Sequence, residues 1–262
     1  MKNAEKGDKI KEKKIKEKKL RVKMDTVKIN RGNVRTVAHR GLSGIEPENT
    51  AAAFIAAANR SYYGIEADIH VTKDGKFIVC HDDNALRISG RDVEIEKATL
   101  AELQDIRLFG RDGGNGRADL RMPTLEEYIS ICKTYGKHAF LEFKNEFSYS
   151  EVADAVRAID KLGYLDEVTF ISFHYKNLLH LRSIEPGQPA QLLFCAPTEE
   201  IIRRLAEDRI SADVKASAVT RELVKRLHAE FLDVNCWTVD DPAQASHLCS
   251  LGVDFITTNI LE

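Results

Sequence analysis

The chain has 262 residues, 43% hydrophobic and 31% charged, enough to bury one large core and few for two. Its formal net charge of −2 hides an asymmetry: residues 1–30 hold eleven Lys and one Arg against three Glu and two Asp, so this segment carries +7 and the remainder −9. The composition excludes a membrane-spanning chain, which needs a run of roughly 20 apolar residues, and a disulfide-framed module, because the five cysteines are odd in number, scattered and without C-x-x-C spacing.

In chain order, residues 1–32 are expected to form a disordered, lysine-rich tail. Ile10, Ile15 and Leu20 recur every five residues and so fail to make one helical stripe. Clustered lysine attracts polyanions, but here Glu is interspersed and no aromatic residue accompanies it. Neither nucleic acid nor stable membrane insertion is therefore expected. The start also lacks the continuous apolar core of a signal peptide, and a soluble, cytoplasmic protein is the expectation.

Residues 33–262 are expected to form a single domain in which β-rich runs alternate with helical patterns. The strands fall at Arg35–Ala38, Gly64–Val71, His138–Phe143, Val168–Phe173, Ala190–Phe194, Ala212–Ala216, Asp233–Thr238 and Asp254–Thr257. Helices fall at Thr50–Arg60, Thr124–Tyr135, Glu151–Leu162, Tyr175–Ser183, Glu199–Asp208, Arg221–Glu230 and Pro242–Leu251, with Thr124, Ser150, Thr198 and Thr220 placed as caps. Eight strands in this alternation predict an α/β fold, the (β/α)8 TIM barrel. The exception is an insertion after the second strand, between His81 and Leu120, preceded by the extra strand-like run Phe77–His81 and expected to overhang the barrel mouth. Its glycine-rich stretch Gly110–Gly116 lacks the strand-before, helix-after context and the Lys-Ser/Thr ending of a phosphate loop.

Barrel active sites gather at the C-terminal ends of the strands, and the chemically suggestive residues fall there. Glu66 and Asp68 lie two apart in one strand, so both carboxylates project from the same face; Glu142 and Lys144 repeat the pattern. Carboxylates converging inside a barrel repel one another and are costly to bury unless a cation holds them, and an oxygen-rich set suits Mg²⁺ or Ca²⁺. His39 and His81, flanking that cluster, supply proton transfer near neutral pH. Asn49 or Thr50 is placed to cap the alanine-rich helix that follows, and Trp237, at a strand end, to form an apolar wall.

The motifs His39-Arg40-Gly41, Pro47-Glu48-Asn49-Thr50, Glu66-Ala67-Asp68, His81-Asp82, Glu142-Phe143-Lys144 and Trp237-Thr238-Val239 together resemble the glycerophosphodiester phosphodiesterase family, over about residues 35–260. The resemblance implies a metal-dependent hydrolase that splits small glycerophosphodiesters into glycerol 3-phosphate and an alcohol. It implies that Glu66, Asp68 and Glu142 bind one divalent cation and that His39 and His81 share the acid/base work. Arg40 and Lys144 would hold the phosphate, Glu48 and Asn49 would orient His39 or the ligand, and Trp237 would line the substrate site. Two rivals need the same core: a lysophospholipase D with an apolar trough at the rim, and a catalytically silent barrel that binds phosphate esters. The sequence leaves open the alcohol head group, Mg²⁺ against Ca²⁺, which histidine is acid, and the oligomeric state.

Overall fold

A computed structural model describes residues 25–114 and 117–262; residues 1–24 of the tail expected over residues 1–32, and Asn115 and Gly116 of the glycine-rich stretch, lie outside the described residues. Nine strands are present among the described residues: β1 (Arg35–Ala38), β2 (Gly64–Val71), β3 (Phe77–Val79), β4 (His138–Phe143), β5 (Val168–Ser172), β6 (Ala190–Phe194), β7 (Ser211–Lys215), β8 (Val234–Trp237) and β9 (Phe255–Thr258). Eight of them run parallel in the order β1-β2-β4-β5-β6-β7-β8-β9, and β1 closes the ring by pairing with both β2 and β9. This is the (β/α)8 barrel. The ninth, β3, is the extra strand-like run; it folds back antiparallel on β2, with Ile69 opposite Val79.

Helices α1 (Ala51–Ala58), α4 (Leu125–Tyr135), α5 (Tyr149–Lys161), α6 (Tyr175–Ile184), α7 (Glu199–Asp208), α8 (Arg221–Ala229) and α9 (Pro242–Leu251) connect the barrel strands, while the short α2 (Leu86–Ser89) and α3 (Leu100–Gln104) belong to the insertion. Thr50, Thr124, Thr198 and Thr220 each accept a backbone N–H two or three residues into the following helix. The expected cap at Ser150 is corrected to Ser148, whose hydroxyl and backbone form a reciprocal pair with Glu151 and start α5 two residues early. Both serines precede an apolar run, and only the position of Glu151 three residues on distinguishes them.

Alternation along the strands sorts side chains into two compartments. Ile65, Ala67 and Ile69 of β2, Ala139, Leu141 and Phe143 of β4, and Ala212 and Val214 of β7 all join the shell between barrel and helices. Their neighbours therefore turn inward. The barrel's lower interior is filled by Val37, Phe140, Ile171, Leu193 and Phe255, and the polar set lies above it.

The insertion builds a separate small core from Ile78, Cys80, Ile95, Leu103, Leu108 and Met122 among others. Arg111 donates to the Ser43 carbonyl and Arg117 pairs with Glu46, which ties the insertion to the connection between β1 and α1. His70, also inward on β2, is fully buried and places Nδ1 3.1 Å from Glu96 of the insertion. Residues from the expected tail also join the fold: Val27 and Ile29 donate backbone hydrogen bonds to Ile260 and Glu262. No helix among the described residues is long and apolar enough to cross a membrane.

Candidate active site

The turn after β1 starts the site. Arg40 has φ +53° and Gly41 φ +75°, and a Cβ on Gly41 would lie 2.7 Å from Ala53. Only glycine fits that close approach. With the turn so tightened, the Arg40 backbone N–H donates to Glu66 Oε2 at 2.6 Å, and its guanidinium meets Glu48 Oε1 at 2.9 Å and Asp68 Oδ2 at 3.6 Å. Asn49, also left-handed at φ +53°, donates from Nδ2 to Asp68 Oδ2 at 2.7 Å. Thr50, not Asn49, caps α1; Asn49 is thereby free to orient the carboxylate.

Glu66, Asp68 and Glu142 converge as anticipated, each with an oxygen within 4.8 Å of the others, and all three are buried. Lys144 Nζ sits 2.8 Å from Glu142 Oε1 and 3.4 Å from Asp68 Oδ1. Burial opposes the charge on Asp68, but Lys144 and Arg40 outweigh it and hold this carboxyl well below the usual range. Burial and the neighbouring carboxylate of Asp68 push Glu66 and Glu142 well above it. Three buried carboxyls of which two resist ionisation are a poor arrangement for the protein alone and a good one around a hard dication. The donor set therefore fits a divalent metal ion.

Both histidines line the same cavity, each backed by an acceptor. His39 Nδ1 lies 2.8 Å from Asn259 Oδ1. The orientation of that amide follows from Asp240, which accepts from Asn259 Nδ2 at 2.6 Å, and from Ser43, which donates to Oδ1. Nδ1 of His39 must then carry the hydrogen, leaving Nε2 as the free lone pair of the neutral ring. His81 Nδ1 lies 2.8 Å from Asp82 Oδ1. Burial lowers the pKa of both imidazoles, and Arg40 adds to the effect. Arg87 of the insertion contacts Asp82 at 2.6 Å and Glu48 at 2.7 Å, linking the partners of His81 and Arg40.

The cavity, about 60 Å³, is enclosed by His39, His81, Glu142, Lys144, Phe173 and Trp237 among others. Trp237 stands edge-to-face with Phe173, ring centroids 5.5 Å apart, and donates from Nε1 to the Asp213 carbonyl at 3.2 Å. A larger hollow around Arg31, Asp233 and Asp254 opens at the opposite end of the strands, away from where barrels of this kind work.

Residues 39–262 match the glycerophosphoryl diester phosphodiesterase family. The chain belongs to that family. Among its relatives are the glycerophosphodiester phosphodiesterases of Bacillus altitudinis, 28% identical over 85% of this chain and 93% of the relative, and of Bacillus subtilis, 27% identical over 86% and 83%. A phosphodiesterase of Oleispira antarctica, solved in complex with the product sn-glycerol-3-phosphate, superposes with a TM-score of 0.76 at 25% identity, covering 86% of this chain and 92% of that one. Membership makes the protein a phosphoric diester hydrolase.

Every residue singled out from sequence lies in or against this constellation: His39, Arg40, Glu66, His81, Glu142, Lys144 and Trp237 line the cavity, while Glu48, Asn49 and Asp68 bond to its members. Sequence reasoning missed Arg87 and Asp213 and gave no role to Asp82 and Asn259, although both lie within stretches that resemble the family's motifs. Arg87 signals itself only through its contacts in an irregular loop. Asp213 carried a usable signal, a lone charge between the apolar Ala212 and Val214 of a barrel strand.

Proposed function

We propose that the protein hydrolyses glycerophosphodiesters to glycerol 3-phosphate and an alcohol with one divalent cation, Mg²⁺ or Ca²⁺, held by Glu66, Asp68 and Glu142. The observation that carries this reading is the meeting of a cluster of three buried carboxyls, two of which line one small cavity, with the two cationic side chains and two backed imidazoles that line it too. When bound, the cation supplies charge neutralisation at the phosphoryl oxygens. Arg40 and Lys144 reach the same region and bind the remaining phosphate charge.

His39, backed by a neutral amide and depressed in pKa, is the base, taking a proton from the attacking hydroxyl at Nε2. His81 is the acid. Asp82 behind it favours the imidazolium form, and that proton passes to the departing alcohol oxygen as the bond to phosphorus breaks. The glycerol hydroxyl next to the ester is the nucleophile we favour, because an internal group gains high effective molarity; its oxygen bonds to phosphorus, and water later opens the cyclic phosphate. Glu48 and Asn49 orient Arg40 and Asp68, and Trp237 with Phe173 forms the apolar wall. Cysteines that are all unpaired agree with work in the cytoplasm.

The test is a metal-supplemented assay over a panel of glycerophosphodiesters and lysophospholipids, with release of the head-group alcohol, the product common to both classes, as the readout. Hydrolysis of the former, abolished by chelation and restored by Mg²⁺ or Ca²⁺, is expected. Turnover that persists in excess chelator with no metal in the protein removes the metal from the scheme; preference for lysophospholipids makes it a lysophospholipase D.

A further inference from the structure

Asp213 is 1% exposed, points into the barrel from β7, and its Oδ1 has no hydrogen-bond partner. A buried carboxyl without a partner is costly. It borders the cavity among Ile171, Leu193, Phe173 and Trp237, the apolar side of an otherwise charged site. In the ring of eight strands β7 lies across from β2, so Asp213 faces Glu66 and Asp68 from the far wall. With the phosphate on the side of Arg40, Lys144 and the carboxylate cluster, whatever reaches Asp213 is a part of the substrate remote from phosphorus.

We infer that Asp213 is a specificity-determining residue, whose side chain hydrogen-bonds the terminal hydroxyl of the glycerol moiety, the one not adjacent to the phosphoester. The inference rests on the substrate class proposed above. The cavity is small, about 60 Å³, which suits a short polyol better than a long chain and leaves the variable alcohol toward solvent. The apolar wall covers the carbon skeleton, and beside it Thr257 and Trp237 already donate within the protein, whereas Asp213 Oδ1 is without a partner. Charged or protonated, a carboxyl oxygen accepts that hydrogen bond, so recognition does not depend on its ionisation. Trp237 bonds to the main-chain carbonyl of Asp213, and a side-chain substitution leaves that contact in place.

A site built to bond a hydroxyl discriminates strongly against the analogue that lacks it, because its buried group is then left unpaired. The experiment compares kcat/KM for glycerophosphocholine and for the phosphocholine diester of propane-1,2-diol, which retains the hydroxyl next to the ester and loses the terminal one. The wild type is expected to prefer the glycerol substrate by about 30-fold or more. Asp213→Leu is expected to bring the ratio below about threefold, whereas Asp213→Asn, which keeps an acceptor, retains most of the preference. Binding of glycerol 3-phosphate and of its deoxy analogue, measured by calorimetry on the same folded proteins, must show the same ordering and does so independently of turnover. A wild-type ratio near one, or an unchanged ratio in Asp213→Leu, overturns the inference even if the protein is a glycerophosphodiesterase. Absence of turnover on every glycerophosphodiester with the binding preference intact overturns only the proposed activity.

Discussion

In the proposed scheme His39 and His81, two identical side chains, take different tasks from what stands behind them. A neutral amide fixes the tautomer of His39, whereas a carboxylate supports the charged form of His81. Replacing either with alanine is expected to lower kcat by about 10²-fold or more in a steady-state assay, the scale of a positioned acid or base. Both pKa values are lowered by burial, so the acidic limb of kcat/KM, which requires neutral His39, lies below the ordinary imidazole value of 6.5. Asp82→Asn removes a contribution that raises the pKa of His81; the alkaline limb, which requires protonated His81, is then expected to move to lower pH. A profile whose alkaline limb stays in place would dissociate Asp82 from the acid.

Among the elements, the segment around Val27 is held by Glu262. Lys28 meets Glu262 Oε1 at 2.6 Å, Thr26 donates to Oε2 at 2.5 Å, and the Ser61 N–H donates at 2.7 Å. Burial works against this charge, but Lys28 and these donors prevail and hold the carboxyl down at about 2. Because the folded value lies below the unfolded one, the contribution is complete above about pH 4.5 and disappears as pH falls toward 2. Glu262→Gln is expected to cost about 1–2 kcal/mol in denaturant titrations at neutral pH, with the gap to wild type closing in acid. A gap that does not depend on pH between 5 and 3, on the order of these values, would assign the cost to packing alone. The insertion is the other element the barrel depends on, since its Arg87 braces both Asp82 and Glu48 from outside the ring.

At the scale of the whole molecule, function and stability oppose each other at the carboxylate cluster. Glu66 and Glu142 resist ionisation where they stand, and under the proposed metal site a bound cation offsets the cost of charging them. Saturating Mg²⁺ or Ca²⁺ is expected to raise the melting temperature by about 5–10 °C. Glu66→Gln keeps an acceptor for the Arg40 N–H and removes a carboxyl whose ionisation the fold opposes; its metal-free melting temperature should equal or exceed that of the wild type, and the metal-dependent rise should vanish. Calorimetric scans with and without cation decide this, and an undiminished rise in the variant would place the ion elsewhere.

The barrel and the core of the site were legible in the sequence because both rest on local period. Alternation along a strand sends Glu66 and Asp68 the same way wherever β2 ends up, and the count of β/α units sets the closure of the ring. The Ser148 cap, two residues from the expected one, and the engagement of Val27 and Ile29 with the C-terminus were less legible, since each depends on which nearby donor or distant strand a residue finally meets. Only the tertiary structure brought Asn259 to His39 and Arg87 to Glu48, and set Asp213 across the barrel from the carboxylates. Such pairings join positions 39 to 220 residues apart, and no local period encodes a contact made by closing a ring.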